Sequence, residues 1–332
     1  MRIGVIGAGS WGTTIADLLA REGHDVTLWA HEAEVVEAIN RSHENTVFLP
    51  DAPLDTRIVA VGEVAQAVED RDLLVSAAPS HAVRDVGTMV GQALRHREAI
   101  VVSVSKGLET ESLKTMSEVL QESIPSARVV ALSGPSFAQE VYQRQPTAVV
   151  AASDDAEAAR TAQATFSTAT FRVYTSSDVL GVQLGGSLKN VIAIAAGLLH
   201  GLGLGHNSRA AVITRGLAEM TRLGEKLGAS AQTFAGLAGM GDLILTATGE
   251  LSRNRSLGVE LAQGRQLQDI LETRRTVAEG VRTARAAVQL GERAGVELPI
   301  AEEVAHILFD GKEPRQAVRA LMGRELKPER WQ

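Results

Sequence analysis

The chain of 332 residues contains no cysteine. That excludes disulfides, thiolate metal ligands and a cysteine nucleophile, and it suits a reducing compartment such as the cytoplasm. Positive charge is also in deficit: 33 lysines and arginines face 40 acids, a formal net charge of -7. This argues against nucleic acid or an anionic membrane as the main partner. Long apolar runs are missing. The most membrane-like stretch, Val191 to Leu199, stops at His200, whereas a spanning helix needs about 20 residues; a buried helix is expected and no membrane span. The N-terminus enters a strand directly, so no signal peptide is expected. The 8 histidines form no H-x-x-x-H or H-x-H pattern, so no metal site is expected. A G-x-S-x-G elbow is absent as well, which disfavours a serine hydrolase.

What is present begins at once. Arg2-Ile3-Gly4-Val5-Ile6 is a short apolar strand that runs into Gly7-Ala8-Gly9-Ser10-Trp11-Gly12, a G-x-G-x-x-G turn. In that motif the first glycine permits a tight turn, the second lets the backbone approach a pyrophosphate, and the third lets helix and strand pack closely. The phosphate then sits on the positive end of the following helix. A helix over 13–20, with Ala16 as the small residue facing the sheet, and a strand over 24–29 complete a βαβ unit. A plain glycine-rich strand-helix turn is the alternative.

Strand-like runs follow at 57–60, 73–77, 99–103, 128–132, 146–151 and 171–174, separated mostly by helical patterns at 63–70, 80–95, 111–122 and 154–168. That alternation predicts an α/β domain with a mostly parallel sheet covered on both faces. From about Asp178 the β-branched runs cease. Helical patterns follow at 179–200, 207–227, 230–238, 256–263, 267–272, 279–294, 299–310 and 314–322, with stops at Gly228, Gly264, Gly295 and Gly311. The expected organisation is a Rossmann-type domain over 1–178 and an all-α substrate domain over 179–332. Arg274-Arg275 and the C-terminal tail are too short to act as basic arms.

Five segments could carry chemistry. Lys106, in Ser105-Lys106-Gly107-Leu108-Glu109, follows a strand, where open α/β sheets bind ligands. It either faces an anionic or carbonyl oxygen or pairs with Glu109 or Glu111. In Ser133-Gly134-Pro135-Ser136-Phe137-Ala138, Gly-Pro fixes a turn and Ser136 could cap the next helix. Lys189, followed by Asn190, has Gly185, Gly186, Ile192 and Ala193 as helix neighbours and no acid on its own face. Burial there would favour a neutral amine able to exchange a proton with a substrate oxygen; the alternative is a lysine snorkelling to solvent. Asp242 ends the glycine-dense stretch 236–241 and either orients that lysine or makes a turn or helix cap. Ser252-Arg253-Asn254 offers a hydroxyl, a guanidinium and an amide suited to phosphate, or forms a solvated loop.

In seven ordered motifs, the chain resembles the bacterial NAD(P)-dependent glycerol-3-phosphate dehydrogenases. They are G-A-G-S-W-G-T-x-x-A at 7–16, S-K-G-L-E at 105–109, S-G-P-S-F-A at 133–138, K-N at 189–190, A-G-x-G-D at 238–242, S-R-N at 252–254 and V-x-E-G at 277–280. The resemblance implies reversible hydride transfer between NAD(P)H and dihydroxyacetone phosphate, giving sn-glycerol 3-phosphate for phospholipids. It implies cofactor contacts at Gly7, Gly9, Ser10, Trp11, Gly12, His31, Lys106, Ala138, Arg253, Val277 and Glu279. Substrate contacts are implied at Lys106, Gly134, Ser136, Lys189, Asp242, Ser252, Arg253 and Asn254. Lys189 is the implied proton donor, supported by Asp242 and Lys106, with Asn190 assisting. A homodimer is also implied. One departure bears on the cofactor. Rossmann folds that use NAD usually end the second strand with an acid for the ribose 2′-hydroxyl; here Trp29-Ala30-His31 stands in that place. Histidine is a pH-dependent partner for a 2′-phosphate, so NADPH is the expected cofactor and NADH a possible second. Two rival readings are a β-hydroxyacid or 6-phosphogluconate-type dehydrogenase and a non-catalytic dinucleotide sensor. The adjacency of Lys189 and Asn190 and the S-K-G-L-E and S-R-N segments point away from the first.

Overall fold

The computed structural model describes residues 1–273 and 278–329. The chain divides into two compact units, residues 1–109 with 114–183, and residues 110–113 with 184–332.

The first unit alternates strand and helix. In order it comprises β1 (Arg2–Ile6), α1 (Ser10–Arg21), β2 (Asp25–Trp29), α2 (Ala33–Ser42), β3 (Glu44–Asn45), β4 (Leu49–Pro53), β5 (Val59–Val61), α3 (Val64–Val68), β6 (Leu73–Ser76), α4 (Val83–Leu94), β7 (Ala99–Ser103), α5 (Met116–Ser123), β8 (Ala127–Ser133), α6 (Ala138–Tyr142), β9 (Thr147–Ala152), α7 (Ala156–Phe166) and β10 (Phe171–Ser176). Eight strands form one sheet in the order β10-β9-β8-β7-β6-β1-β2-β5, while β3 and β4 pair separately. Every neighbouring pair in the large sheet is parallel except β8 and β9. The mostly parallel sheet read from the sequence is therefore present. Alternate residues point to opposite faces, and each face has its own apolar cluster. Val5, Leu28, Val75 and Val102 belong to one; Ile6, Leu74, Val101 and Leu120 belong to the other. Burying each such side chain contributes about 1.5–3 kcal/mol, which is why these strands read as near-continuous apolar runs.

β1 lies between β2 and β6, so the chain winds outward in both directions from there. That switch point opens a crevice at the carboxyl end of β1, where the glycine turn begins.

Several boundaries differ from the sequence reading. The helix expected over 111–122 starts only at Met116, because Thr115 and Glu118 form a capping box: the Thr115 hydroxyl accepts from the Glu118 N–H, and the Glu118 carboxylate accepts from the Thr115 N–H. The strand expected at 57–60 is Val59–Val61. Helix α2 and the β3–β4 hairpin went unread: α2 buries only Val35 and Ile39, and β3 has just 2 residues.

Helix α8 (Val179–Gly201) carries the chain into the second unit. After it come α9 (His206–Lys226), α10 (Ala231–Phe234), a single π turn over Leu237–Gly241, α11 (Asp242–Thr248), α12 (Arg253–Ala262), α13 (Leu267–Glu272), α14 (Glu279–Ala294), α15 (Pro299–Phe309) and α16 (Pro314–Met322). No strand occurs after β10 among the described residues. Gly228, Gly264, Gly295 and Gly311 all have positive φ, the conformation that ends a helix and that glycine adopts without strain. Helix α8 is long and apolar enough to cross a membrane, but 89% of its most apolar window is buried inside the protein, so it is a core helix. Two expected segments change: 230–238 resolves into α10 and the start of the π turn, and the helix expected from 256 begins at Arg253.

Candidate active site

In the first unit the three glycines of the turn have three different physical reasons. Gly7 has φ +117, and a Cβ there would lie 2.8 Å from the Ala77 carbonyl. A Cβ on Gly12 would lie 1.9 Å from the Gly7 oxygen, so α1 can start this close to β1 only with glycine. A Cβ on Gly9 would meet nothing within 4 Å. The middle glycine thus borders open space beside the N-terminus of a 12-residue helix that has no side-chain cap and no acid in its first turn. An exposed backbone at a helix N-terminus fits an anion such as a pyrophosphate. Ala16 is fully buried against the sheet. Trp11 packs on the core cluster, and the Ser10 hydroxyl donates to the Phe48 carbonyl.

At the end of β2, the Trp29 indole N–H donates to the Gly62 carbonyl at 2.9 Å. The exposed His31 ring sits edge-on to that indole, with centroids 6.3 Å apart. Glu32 occupies the N-cap position of α2, and Glu34 lies in its first turn. No acid therefore stands at the strand end itself.

Lys106 follows β7, and its ammonium donates to the Gly134 carbonyl, 3.0 Å away. Glu109, one of its candidate partners from sequence, takes a bidentate pair from Arg84 with both contacts at 2.7 Å. Gly134 follows β8 with φ +147, and a Cβ there would lie 2.9 Å from the Val149 Cα. The Ser136 hydroxyl donates to the Gly134 carbonyl at 2.9 Å. Ser136 does not cap the next helix: α6 begins behind Phe137 with no side-chain cap. Ala138 opens that helix, and its carbonyl accepts from the Thr14 hydroxyl on α1 at 3.3 Å. The glycine turn, Lys106, Gly134, Ser136 and Ala138 thus gather around the carboxyl ends of β1, β7 and β8.

In the second unit Lys189 is buried, with its side chain 7% exposed against 1% for Asp242, and the two form an ion pair. The ammonium also donates to the Thr246 hydroxyl at 2.8 Å, and that hydroxyl donates to the Asp242 carbonyl at 2.6 Å. The lysine therefore does not snorkel. The acid missing from its own helix face comes from 53 residues further along. Gly185, one turn before Lys189, makes room for backbone: a Cβ there would lie 2.4 Å from the Ala238 carbonyl. Ala238 belongs to the π turn that delivers Asp242 as the first residue of α11. Such turns recur at functional sites because they re-aim one side chain within a helix. Thr246 was not found from sequence; its one signal is its place four residues after Asp242.

A second polar chain starts at the neighbouring residue. The Asn254 amide donates to the Asn190 side-chain oxygen at 2.9 Å and accepts from the Gly280 N–H at 2.9 Å. Ser252 is the N-cap of α12, accepting from the Arg255 N–H, so S-R-N forms a helix start and not a solvated loop. Arg253 is exposed as the first residue of that helix, and Glu279 is half-buried as the first residue of α14. Val277 lies outside the described residues.

Two sequence profiles cover most of the chain. The profile described as NAD-dependent glycerol-3-phosphate dehydrogenase N-terminus matches residues 2–159, and its C-terminus counterpart matches residues 178–319. The glycerol-3-phosphate dehydrogenase [NAD(P)+] of Geobacter sulfurreducens is 55% identical over 333 residues, covering 99% of each chain. That of Syntrophotalea carbinolica is 54% identical over 334 residues with the same coverage. The crystal structure of glycerol-3-phosphate dehydrogenase from Coxiella burnetii superposes with a TM-score of 0.94 at 35% identity, over 97% of this chain and 99% of that one. With the glycine turn at the sheet's switch point and a buried lysine-aspartate pair in the helical unit, these matches place the chain in the NAD-dependent glycerol-3-phosphate dehydrogenase family.

Proposed function

We propose that this protein reduces dihydroxyacetone phosphate reversibly to sn-glycerol 3-phosphate with NADPH, NADH serving as a second cofactor. The single observation that carries the reading is the buried Lys189–Asp242–Thr246 cluster. An ammonium held this far from water needs a reason, and a ketone becoming an alkoxide supplies one. When bound, the nicotinamide supplies the hydride that adds to the carbonyl carbon. Lys189 gives the developing alkoxide its proton and takes it back in the reverse direction. Asp242 holds the lysine in place, and Thr246 fixes the third corner. Lys106 steadies the substrate oxygen and the cofactor.

Gly134, Ser136, Ser252, Arg253 and Asn254 hold the substrate, the arginine taking its phosphate. Gly7, Gly9, Ser10, Trp11 and Gly12 cradle the pyrophosphate, and Ala138, Arg253, Val277 and Glu279 complete the cofactor contacts. His31 meets the 2′-phosphate of NADPH. In this reading residues 1–178 are the nucleotide-binding domain and 179–332 the substrate domain, although the compact units divide a few residues later, inside α8. The product feeds phospholipid synthesis in the cytoplasm, and the enzyme works as a homodimer.

The test follows NADPH absorbance with dihydroxyacetone phosphate as sole substrate. Oxidation is expected, and its absence sinks the reading. Lys189→Ala should bind NADPH normally and lose about 10²–10⁴-fold in kcat, the usual contribution of a positioned proton donor. Full turnover in that variant refutes the assigned role.

A further inference from the structure

The glycine turn is fastened from outside by the β3–β4 hairpin, a short excursion between α2 and β5. Asn45, at the end of β3, is 0% exposed. Its amide nitrogen donates to the Ala8 carbonyl at 2.8 Å and to the Thr13 hydroxyl at 2.8 Å. Its amide oxygen accepts from the Phe48 N–H at 3.0 Å. Thr13 closes the triangle by donating to the same Ala8 carbonyl at 3.1 Å. One residue past Gly9, the Ser10 hydroxyl donates to the Phe48 carbonyl. The hairpin therefore grips the turn on both sides of Gly9.

We propose that Asn45 is a positioning residue that sets the glycine turn for a pyrophosphate; this rests on the nucleotide-binding reading of that turn. The argument is one of peptide geometry. In a trans peptide the C=O and the following N–H point in opposite directions. Drawing the Ala8 carbonyl onto Asn45 therefore turns the Gly9 N–H away from Asn45, and Gly9 is the glycine that borders open space. A small rotation of that peptide would misdirect the donor. Glycine has wide backbone freedom, so the turn does not hold this rotation by itself. Asn45 uses one donor on each of two partners and its acceptor on a third, in the turn, the start of α1 and the hairpin respectively. No aliphatic residue of similar size could replace it without leaving the Ala8 carbonyl and the Phe48 N–H short of a partner.

Calorimetry with two nucleotide fragments tests this. ADP-ribose carries the pyrophosphate; adenosine 2′-monophosphate does not. In Asn45→Ala the Kd for ADP-ribose should rise by about tenfold, the loss of one charge-assisted contact, while that for adenosine 2′-monophosphate stays within about twofold. Asn45→Asp should weaken ADP-ribose further, because a carboxylate cannot donate to Ala8 and adds negative charge beside the turn. Thr13→Val, nearly isosteric, should give the same pattern more weakly and decides the matter if the Asn45 variants fail to fold. Equal weakening of both fragments in a folded variant means a general loss of structure and overturns the proposal. Unchanged ADP-ribose binding overturns it too. If the wild type binds ADP-ribose but NADPH is not oxidised with dihydroxyacetone phosphate, the dehydrogenase reading fails and this one stands.

Discussion

Lysine is almost never fully buried unless something answers its charge. At position 189 the answer is Asp242, and the pair is nearly sealed from solvent. Removing one member of such a pair costs about 3–5 kcal/mol, because the other is left uncompensated. Asp242→Asn should therefore do two things at once. Unfolding free energy should fall by a few kcal/mol, and kcat should fall by about 10²-fold as the proton donor loses its alignment. Thr246→Val, which keeps the carboxylate, should cost only about 1 kcal/mol and about tenfold in kcat. Equal losses in the two variants, by urea titration and initial rates, would show that Asp242 does no more than the hydroxyl. Sequence makes two of this cluster's three residues, Lys189 and Asp242, legible. Lys189 stands out because its neighbours one helical turn away are small and apolar. Thr246 does not, because its meaning lies in an ammonium 57 residues earlier in the chain. Asn45 is hidden for the same reason, its partners lying 32 and 37 residues back.

At the scale of elements, the patterns that survive are those long enough to repeat. The longer helices from α8 onward follow their 3.6-residue period, and α9, α12, α14 and α15 stop at left-handed glycines. The parallel strands are read from buried β-branched runs. What fails is short, mostly polar or set by a cap: the 2-residue β3, the polar α2 with its two buried residues, and the late start of α5 behind Thr115. The π turn is a different case, since α8 can approach it only where α8 itself carries a glycine. Gly185 faces the Ala238 carbonyl at a hypothetical Cβ distance of 2.4 Å, roughly 1 Å inside van der Waals contact. Because the obstacle is backbone, it must move, and it carries Asp242 with it. Gly185→Ala should lower stability by about 1–3 kcal/mol, the usual cost of overpacking. Its kcat should fall by about 10²-fold, since a 1 Å misplacement is worth that much, with the KM for NADPH nearly unchanged. A variant that loses stability but keeps kcat would separate α8 packing from catalysis.

Across the molecule, acid predominates, and three described carboxylates are buried: Asp17 and Asp242 in ion pairs with Arg21 and Lys189, and Glu219 against a helix start. Glu219, on α9, is 4% exposed, and it accepts from the Ile300 and Ala301 N–H groups at 2.9 and 3.4 Å. These are the second and third residues of α15, whose own N-cap residue, Leu298, has no side chain able to serve. Glu219 thus caps a helix far along the chain. Burial raises its pKa to about 7, outweighing the two backbone bonds and the nearby Arg222, which pull the other way, while Glu302 pushes with it. In the unfolded chain the group ionises near 4.5. Between those values the native state holds a proton that the unfolded state has released. Raising the pH then favours unfolding, and the stability present below about pH 4.5 is lost through pH 7, a change of about 3 kcal/mol for a shift of this size. Glu219→Gln keeps an oxygen for the Ile300 N–H and carries no charge. Urea unfolding followed by circular dichroism at pH 5, 6.5 and 8 should show the wild type weakening over that range and the variant changing less. The variant should gain on the wild type as pH rises; parallel curves would mean that Glu219 stays ionised and that its capping bonds, with Arg222, offset its burial in full.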